Sequence, residues 1–220
     1  AIGYFDRSLG LGQYNRQTKA DALYWRGEAY YRLNRMEEAK RNFTDYLQLT
    51  QQPHNEMYAL AHYNLGYIAF HQKDYTQAQN WFRKYISLEK GENKTALADA
   101  YNRIGDCYLD VRNFDEAKHY YSQAEAMNTP SGDYSFYQLA LVSGLQKDYS
   151  GKITLLNRLA GKYPASPYAI SALYEKGRSY ILMDNNQQAI ASFKELLAKY
   201  PESPVSRKAA AEIGLLYYQN

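Results

Sequence analysis

The 220-residue chain has one cysteine, Cys107, with six prolines, two tryptophans and seven phenylalanines. A single cysteine excludes an internal disulfide and a cysteine-rich zinc site. No stretch approaches the roughly 18 consecutive apolar residues of a membrane-spanning helix. No dense run of Lys and Arg appears, so nucleic-acid binding, which needs a basic stripe, is set aside. The net charge is only +3, positive over residues 1–49, negative over 50–146 and positive again over 147–220. The histidines, His54, His62, His71 and His119, lie on loops or scattered helix positions. No HExxH, no GxSxG and no phosphate-cradling glycine loop occurs. No catalytic residue, metal ligand or cofactor site is expected. Neither a signal peptide nor a lipidation motif is visible.

Tyrosine is what the chain has in excess: 25 residues, within a hydrophobic fraction of 45%. A large apolar ring with a polar tip suits broad packing surfaces or a binding face better than a compact oily core.

The phrase KYPASPY at 162–168 returns as KYPESPV at 199–205. It reads as helix punctuation. Tyr-Pro ends one helix, because proline lacks an N–H and clashes with the preceding turn. Ser166 and Ser203 are N-cap candidates, with Pro167 and Pro204 at the first helical position. Between the phrases lie two helical patterns, 168–183 and 187–199, joined by Asp184, Asn185 and Asn186. The unit is an antiparallel helix pair.

The same unit recurs along the chain. A small residue marks the first helix at Gly27, Gly66, Gly105, Ala140, Gly177 and Gly214. Twelve residues beyond each of the first five stand Ala39, Ala78, Ala117, Lys152 and Ala189. Four further on are Phe43, Phe82, Tyr121, Leu156 and Phe193. Three before the alanine position a large apolar residue is frequent: Met36, Tyr75, Phe114, Tyr149. Glycine lets two helices approach closely and the bulky residue fills the gap beyond. One such pair cannot bury its apolar face alone, whereas stacked pairs can.

These motifs resemble the tetratricopeptide repeat (TPR). The resemblance rests on LYWRGEAY at 23–30 with EEAKRNF at 37–43, HYNLGYIA at 62–69 with TQAQNWF at 76–82, and YNRIGDCY at 101–108 with DEAKHYY at 115–121. It implies an all-α, right-handed superhelical solenoid of antiparallel helix pairs. Full repeats are expected at 19–57, 58–96, 97–131, 132–168 and 169–205, with half repeats at 1–18 (a second helix) and 206–220 (a first helix). The spacings of 35 to 39 exceed the family's period of 34, and Ala140 and Lys152 depart from its pattern. Ala1 and Phe5 fall on the Ala and Phe positions, and the chain ends in GLLYYQN. Both ends therefore read as cuts inside a repeat of a longer protein.

In such folds the first helix of each pair lines a concave groove. The resemblance places there Tyr24, Tyr63, Asn102, Tyr137 and Tyr174 at one register, with Trp25, Asn64, Tyr67, Arg103, Asp106, Tyr134 and Arg178 beside them. Four tyrosines in register read as a ladder for an extended or helical segment of another protein. The other reading is that these rings pack on neighbouring repeats. The third repeat interrupts the ladder with Asp99, Asn102, Arg103, Asp106 and Asp110. Three readings stay open there: a spot for a basic ligand side chain, a metal site, or a solvated face on which Arg103 pairs with Asp99 and Asp106. The carboxylate clamp that holds acidic chaperone tails is excluded. Asn64 and Arg103 match it, but Tyr24, Glu28 and Asp99 stand where Lys, Asn and Lys belong. Cys107 falls on a packing position, which favours a buried structural thiol over a nucleophile.

The expected function is a protein–protein interaction scaffold, not an enzyme. The alternative is a regulatory or sensing segment of a larger enzyme or signalling protein. Self-association through cut repeat ends is a further possibility. The KYPxSP phrase is similar to bacterial envelope TPR proteins, which points toward the periplasm or outer membrane rather than the cytoplasm.

Overall fold

The computed structural model describes residues 1–10 and 15–219, the side chain of Gln219 excepted. Residues 11–14 of the expected first half repeat and Asn220 lie outside the described residues. The fold is all-α, a solenoid built from helix pairs, with no strand among the described residues. It divides into two compact units, Ala1–Val111 and Arg112–Asn220.

The first unit holds α1 (Ile2–Gly10), α2 (Arg16–Arg32), α3 (Met36–Leu49), α4 (Glu56–His71), α5 (Tyr75–Leu88) and α6 (Lys94–Asp110). The second holds α7 (Phe114–Ala126), α8 (Gly132–Leu145), α9 (Tyr149–Lys162), α10 (Ala169–Leu182), α11 (Asn186–Lys199) and α12 (Pro204–Gln219). Helices α2 and α3 pair, as do α4 and α5, and each pair packs on the next through α3 against α4 and α5 against α6. In the second unit α8 pairs with α9 and α10 with α11.

Turn chemistry explains where the paired helices stop and restart. Asn34, Lys73, Lys147 and Asp184 each take a left-handed conformation, with φ between 59 and 64°. The next residue's N–H then reaches back to satisfy a carbonyl of the last turn: Arg35 to Tyr30, Asp74 to Ala69, Asp148 to Ser143, Asn185 to Tyr180. Asp74, Asp148 and Asn185 go on to cap the following helix, accepting from Gln77, Gly151 and Gln188 N–H. Asn186 is therefore the first residue of α11 rather than part of the turn.

The KYPxSP phrases behave less uniformly than their sequence. Tyr163 and Tyr200 each terminate a helix, α9 and α11, ahead of the proline. Pro204 opens α12, and Ser203 Oγ accepts from Val205 N–H at 3.2 Å. At the earlier phrase Pro167 and Tyr168 form a turn instead, and α10 starts at Ala169. Ser166 Oγ accepts from Tyr168 N–H and donates to Asp133, which holds the turn out of the helix. Ser166 is thus not the N-cap of α10.

The small-residue register is a packing device. A Cβ placed on Gly27 would stand 3.0 Å from the Phe43 ring, on Gly66 2.8 Å from Phe82, and on Gly177 2.4 Å from Phe193. Each phenylalanine is fully buried on its glycine. Where the ring is replaced by the smaller Leu156, the facing residue is Ala140, in one core cluster with it. Lys152 occupies an alanine position yet is only 7% exposed. Its stem lies over Gly144, where a Cβ would meet it at 2.8 Å, and its ammonium pairs with Glu175 on α10.

His62 is buried in the first unit, its ring 4.8 Å from Tyr58 and 5.6 Å from Trp81. Nδ1 lies 2.7 Å from the Tyr58 carbonyl oxygen. Burial, aided by nearby Lys84, holds its pKa below the ordinary histidine value.

Three outcomes follow for stability. Gly66→Ala costs about 1–3 kcal/mol by overpacking on Phe82, whereas Gly214→Ala, with nothing within 4 Å of its Cβ position, is neutral or gains up to about 1 kcal/mol in helix propensity; denaturant titration distinguishes them. Lys152→Met changes stability by less than about 1.5 kcal/mol, while Glu175→Gln, which strands a buried ammonium, costs about 1–3 kcal/mol. The unfolded chain binds a proton on His62 more readily than the folded one, so this residue's contribution falls as pH drops below about 6.5. His62→Phe removes that part of the slope, which parallel urea titrations between about pH 5 and 7.5 would read out.

Candidate partner-binding faces

The partner-binding candidates divide between the two units. In the first they stand on α2, α4 and α6. Tyr24 is only 2% exposed. Its ring meets Trp25, Phe43 and Tyr46 edge-on at 5.2, 5.6 and 5.3 Å. Its hydroxyl donates to Glu28 at 3.4 Å. Tyr63 and Tyr67 are half-buried, 5.1 Å apart, and both pack on Phe82. Trp25 differs: half of its surface is open.

Hydrogen bonds carry these side chains from one helix to the next. Glu28 of α2 accepts from Asn64 of α4. Asp99 of α6 accepts from Tyr63 at 2.7 Å and from Tyr67. Burial first, then the neighbouring carboxylate, pushes the phenol pKa upward at Tyr63 and Tyr67 next to Asp99 and at Tyr24 next to Glu28. The phenols therefore remain protonated donors at any ordinary pH.

The third repeat's acidic positions take the paired arrangement. Arg103 lies 3.6 Å from Asp99 and 2.7 Å from Asp106, with its guanidinium over the Phe70 ring at 5.8 Å. Asn102 is buried. Among the described residues no three His, Cys, Asp or Glu side chains gather as a metal site. Cys107 is fully buried, and burial pushes its thiol up to about 12. A thiol so protonated is a packing group, not a nucleophile.

In the second unit Tyr137 stacks on Tyr168 with centroids 4.9 Å apart and planes at 15°, and Tyr134 meets the same ring edge-on at 6.0 Å. Tyr174 rests against Phe193 and donates to Glu212 at 3.1 Å. Arg178, exposed, donates to the same carboxylate at 2.8 Å.

Sequence reasoning named Asp99 and Glu28 but not as acceptors for the tyrosines, and it missed Glu212. A signal existed. The linked pairs Glu28–Asn64, Tyr63–Asp99 and Tyr174–Glu212 are separated by 36, 36 and 38 residues, close to one repeat. Acceptors lie one period from donors on successive first helices.

Among the described residues no helix is long and apolar enough to cross a membrane. Sequence profiles of the tetratricopeptide repeat match residues 56–129, 21–49 with 171–203, and 102–167. The uncharacterized protein ycf37 of Guillardia theta is 40% identical over 62 residues, which are 28% of this chain and 35% of that protein's length. YrrB, described as a TPR protein with an unusual peptide-binding site, superposes with a TM-score of 0.70 at 16% identity, over 96% of this chain and 100% of its own. The apo form of RapI superposes with a TM-score of 0.85 at 12% identity, over 98% of this chain and 64% of its own. Repeat profiles spread along most of the sequence, on a fold of paired helices shared with those structures, place this chain in the tetratricopeptide repeat family.

Proposed function

We propose that the chain is a protein–protein interaction scaffold whose first unit binds a partner segment on the faces of α2, α4 and α6. One observation carries this reading. The three helices present Glu28, Tyr63, Tyr67 and Asp99, each partly exposed and already tied together by the Tyr63–Asp99 and Tyr67–Asp99 bonds and by that of Glu28 to the buried Asn64. Side chains held before a partner arrives cost less entropy to order on binding. Half-open Trp25 and the edges of Tyr63 and Tyr67 supply the aromatic contact area typical of interface anchors. The peptide-binding site ascribed to YrrB is consistent with such use of the fold. Tyr137, Tyr174 and Arg178 offer a second face in the second unit. The KYPxSP phrase supports a bacterial envelope setting for this scaffold.

The test is hydrogen exchange of the protein with and without a captured partner. Protection should concentrate on α2, α4 and α6, and Trp25→Ala with Tyr67→Phe should weaken capture at least about tenfold while leaving the fold intact. Protection confined to α3 and α5 would sink the proposal.

A further inference from the structure

The electrostatics of the first unit point to a particular partner chemistry, provided that the face just described is the binding face. Two carboxylates of that face, Glu28 and Asp99, are held mainly by neutral donors. Glu28 takes hydrogen bonds from Tyr24 and Asn64, and Asp99 takes them from Tyr63 and Tyr67. Such donors fix a carboxylate's position without cancelling its charge. The cations nearby cancel only part of it. Arg32 stands 3.7 Å from Glu28 with 78% of its side chain exposed, a weak surface pairing. Arg103 serves Asp99 and Asp106 together, one positive charge between two negative.

Trp25 adds an observation independent of the acids. It is exposed on α2, three residues before Glu28 and four after Asp21, so both carboxylates share its face of the helix. An open indole ring flanked by carboxylates suits a cation: the ring face attracts it and the acids neutralise it. An acidic ligand would meet repulsion here, and a purely apolar one would desolvate the acids without compensation. We infer that the first unit recognises a protein segment carrying Lys or Arg side chains, seated on Trp25 and paired with Glu28 and Asp99.

The probe is a fluorescein-labelled peptide of about twelve residues alternating Lys and Ala, with Gln-Ala and Glu-Ala counterparts, titrated by anisotropy. The Lys peptide should bind at least about tenfold more tightly than the Gln peptide, weaken as salt rises, and leave the Glu peptide unbound. Trp25→Ala and Glu28→Gln should each reduce its affinity about five- to tenfold, with circular dichroism confirming the fold. Trp25→Ala serves as the safer variant because its ring is half in solvent. Equal binding of Lys and Gln peptides, tighter binding of the Glu peptide, or Lys-peptide binding indifferent to both substitutions would each overturn the inference. Exchange protection of α2, α4 and α6 by a partner segment without basic residues would overturn it too, yet leave the scaffold reading standing. Protection elsewhere would end both.

Discussion

The closeness of glycine to phenylalanine within each helix pair is the constraint on which the rest depends. Gly27 receives Phe43, Gly66 receives Phe82 and Gly177 receives Phe193; a Cβ would be tight against the ring at the first and have no room at the other two. That contact sets how near the two helices of a pair come, and interiors packed to crystal-like density tolerate little adjustment. The spacing within the pair then fixes which side chains of the first helix remain on the open face. Tyr63 and Tyr67 are half-buried because Phe82, seated on Gly66, forms the floor beneath both rings. Ala140 shows the same constraint from the other side, since a Leu in place of Phe leaves space for one methyl group.

Contacts within a repeat were legible in the sequence, and contacts between repeats were not. A glycine, an alanine twelve residues on and a phenylalanine after four more belong to one helix pair, so their spacing is short and stereotyped. The apolar residue three before the alanine, as at Met36, Tyr75 and Tyr149, is in each case the first residue of its helix. Glu28, the acceptor of Tyr24, stands on the same helix, but the carboxylates that accept from Tyr63, Tyr67 and Tyr174 come from the next repeat. Their identification needs the register between repeats, which varies here with spacings of 35 to 39 residues. Lys152 departs from the pattern for a related reason. Its sequence position says alanine, but Gly144 on α8 and Glu175 on α10, neither of them in its own helix, create its site. The two KYPxSP phrases diverge at their helix starts because Ser166 finds Asp133 as a partner.

The tyrosine excess finds a partial explanation in this arrangement. A phenol can complete a core with its ring while its hydroxyl serves the surface, which phenylalanine cannot do. Tyr24 shows how far this goes: the ring is almost wholly buried, yet the hydroxyl reaches Glu28. Of the four tyrosines read from the sequence as a ladder, Tyr24, Tyr63 and Tyr174 therefore bond to acids through their hydroxyls, while Tyr137 stacks on Tyr168.

That distinction matters for what such a face can recognise. Rings stacked in the open would favour any apolar segment. Hydroxyls that donate to Glu28 and Asp99 leave fixed negative charge on the helices that also carry the open ring of Trp25. Burial keeps those phenols protonated, so the acids never lose their donors through ionisation of the tyrosines. A carboxylate already oriented by two neutral donors loses little freedom when a cation arrives, and the pairing forms in a half-desolvated setting where it is stronger than at an open surface. Selectivity on this face would come from charge held in place by the same hydrogen bonds that join α2 to α4 and α4 to α6.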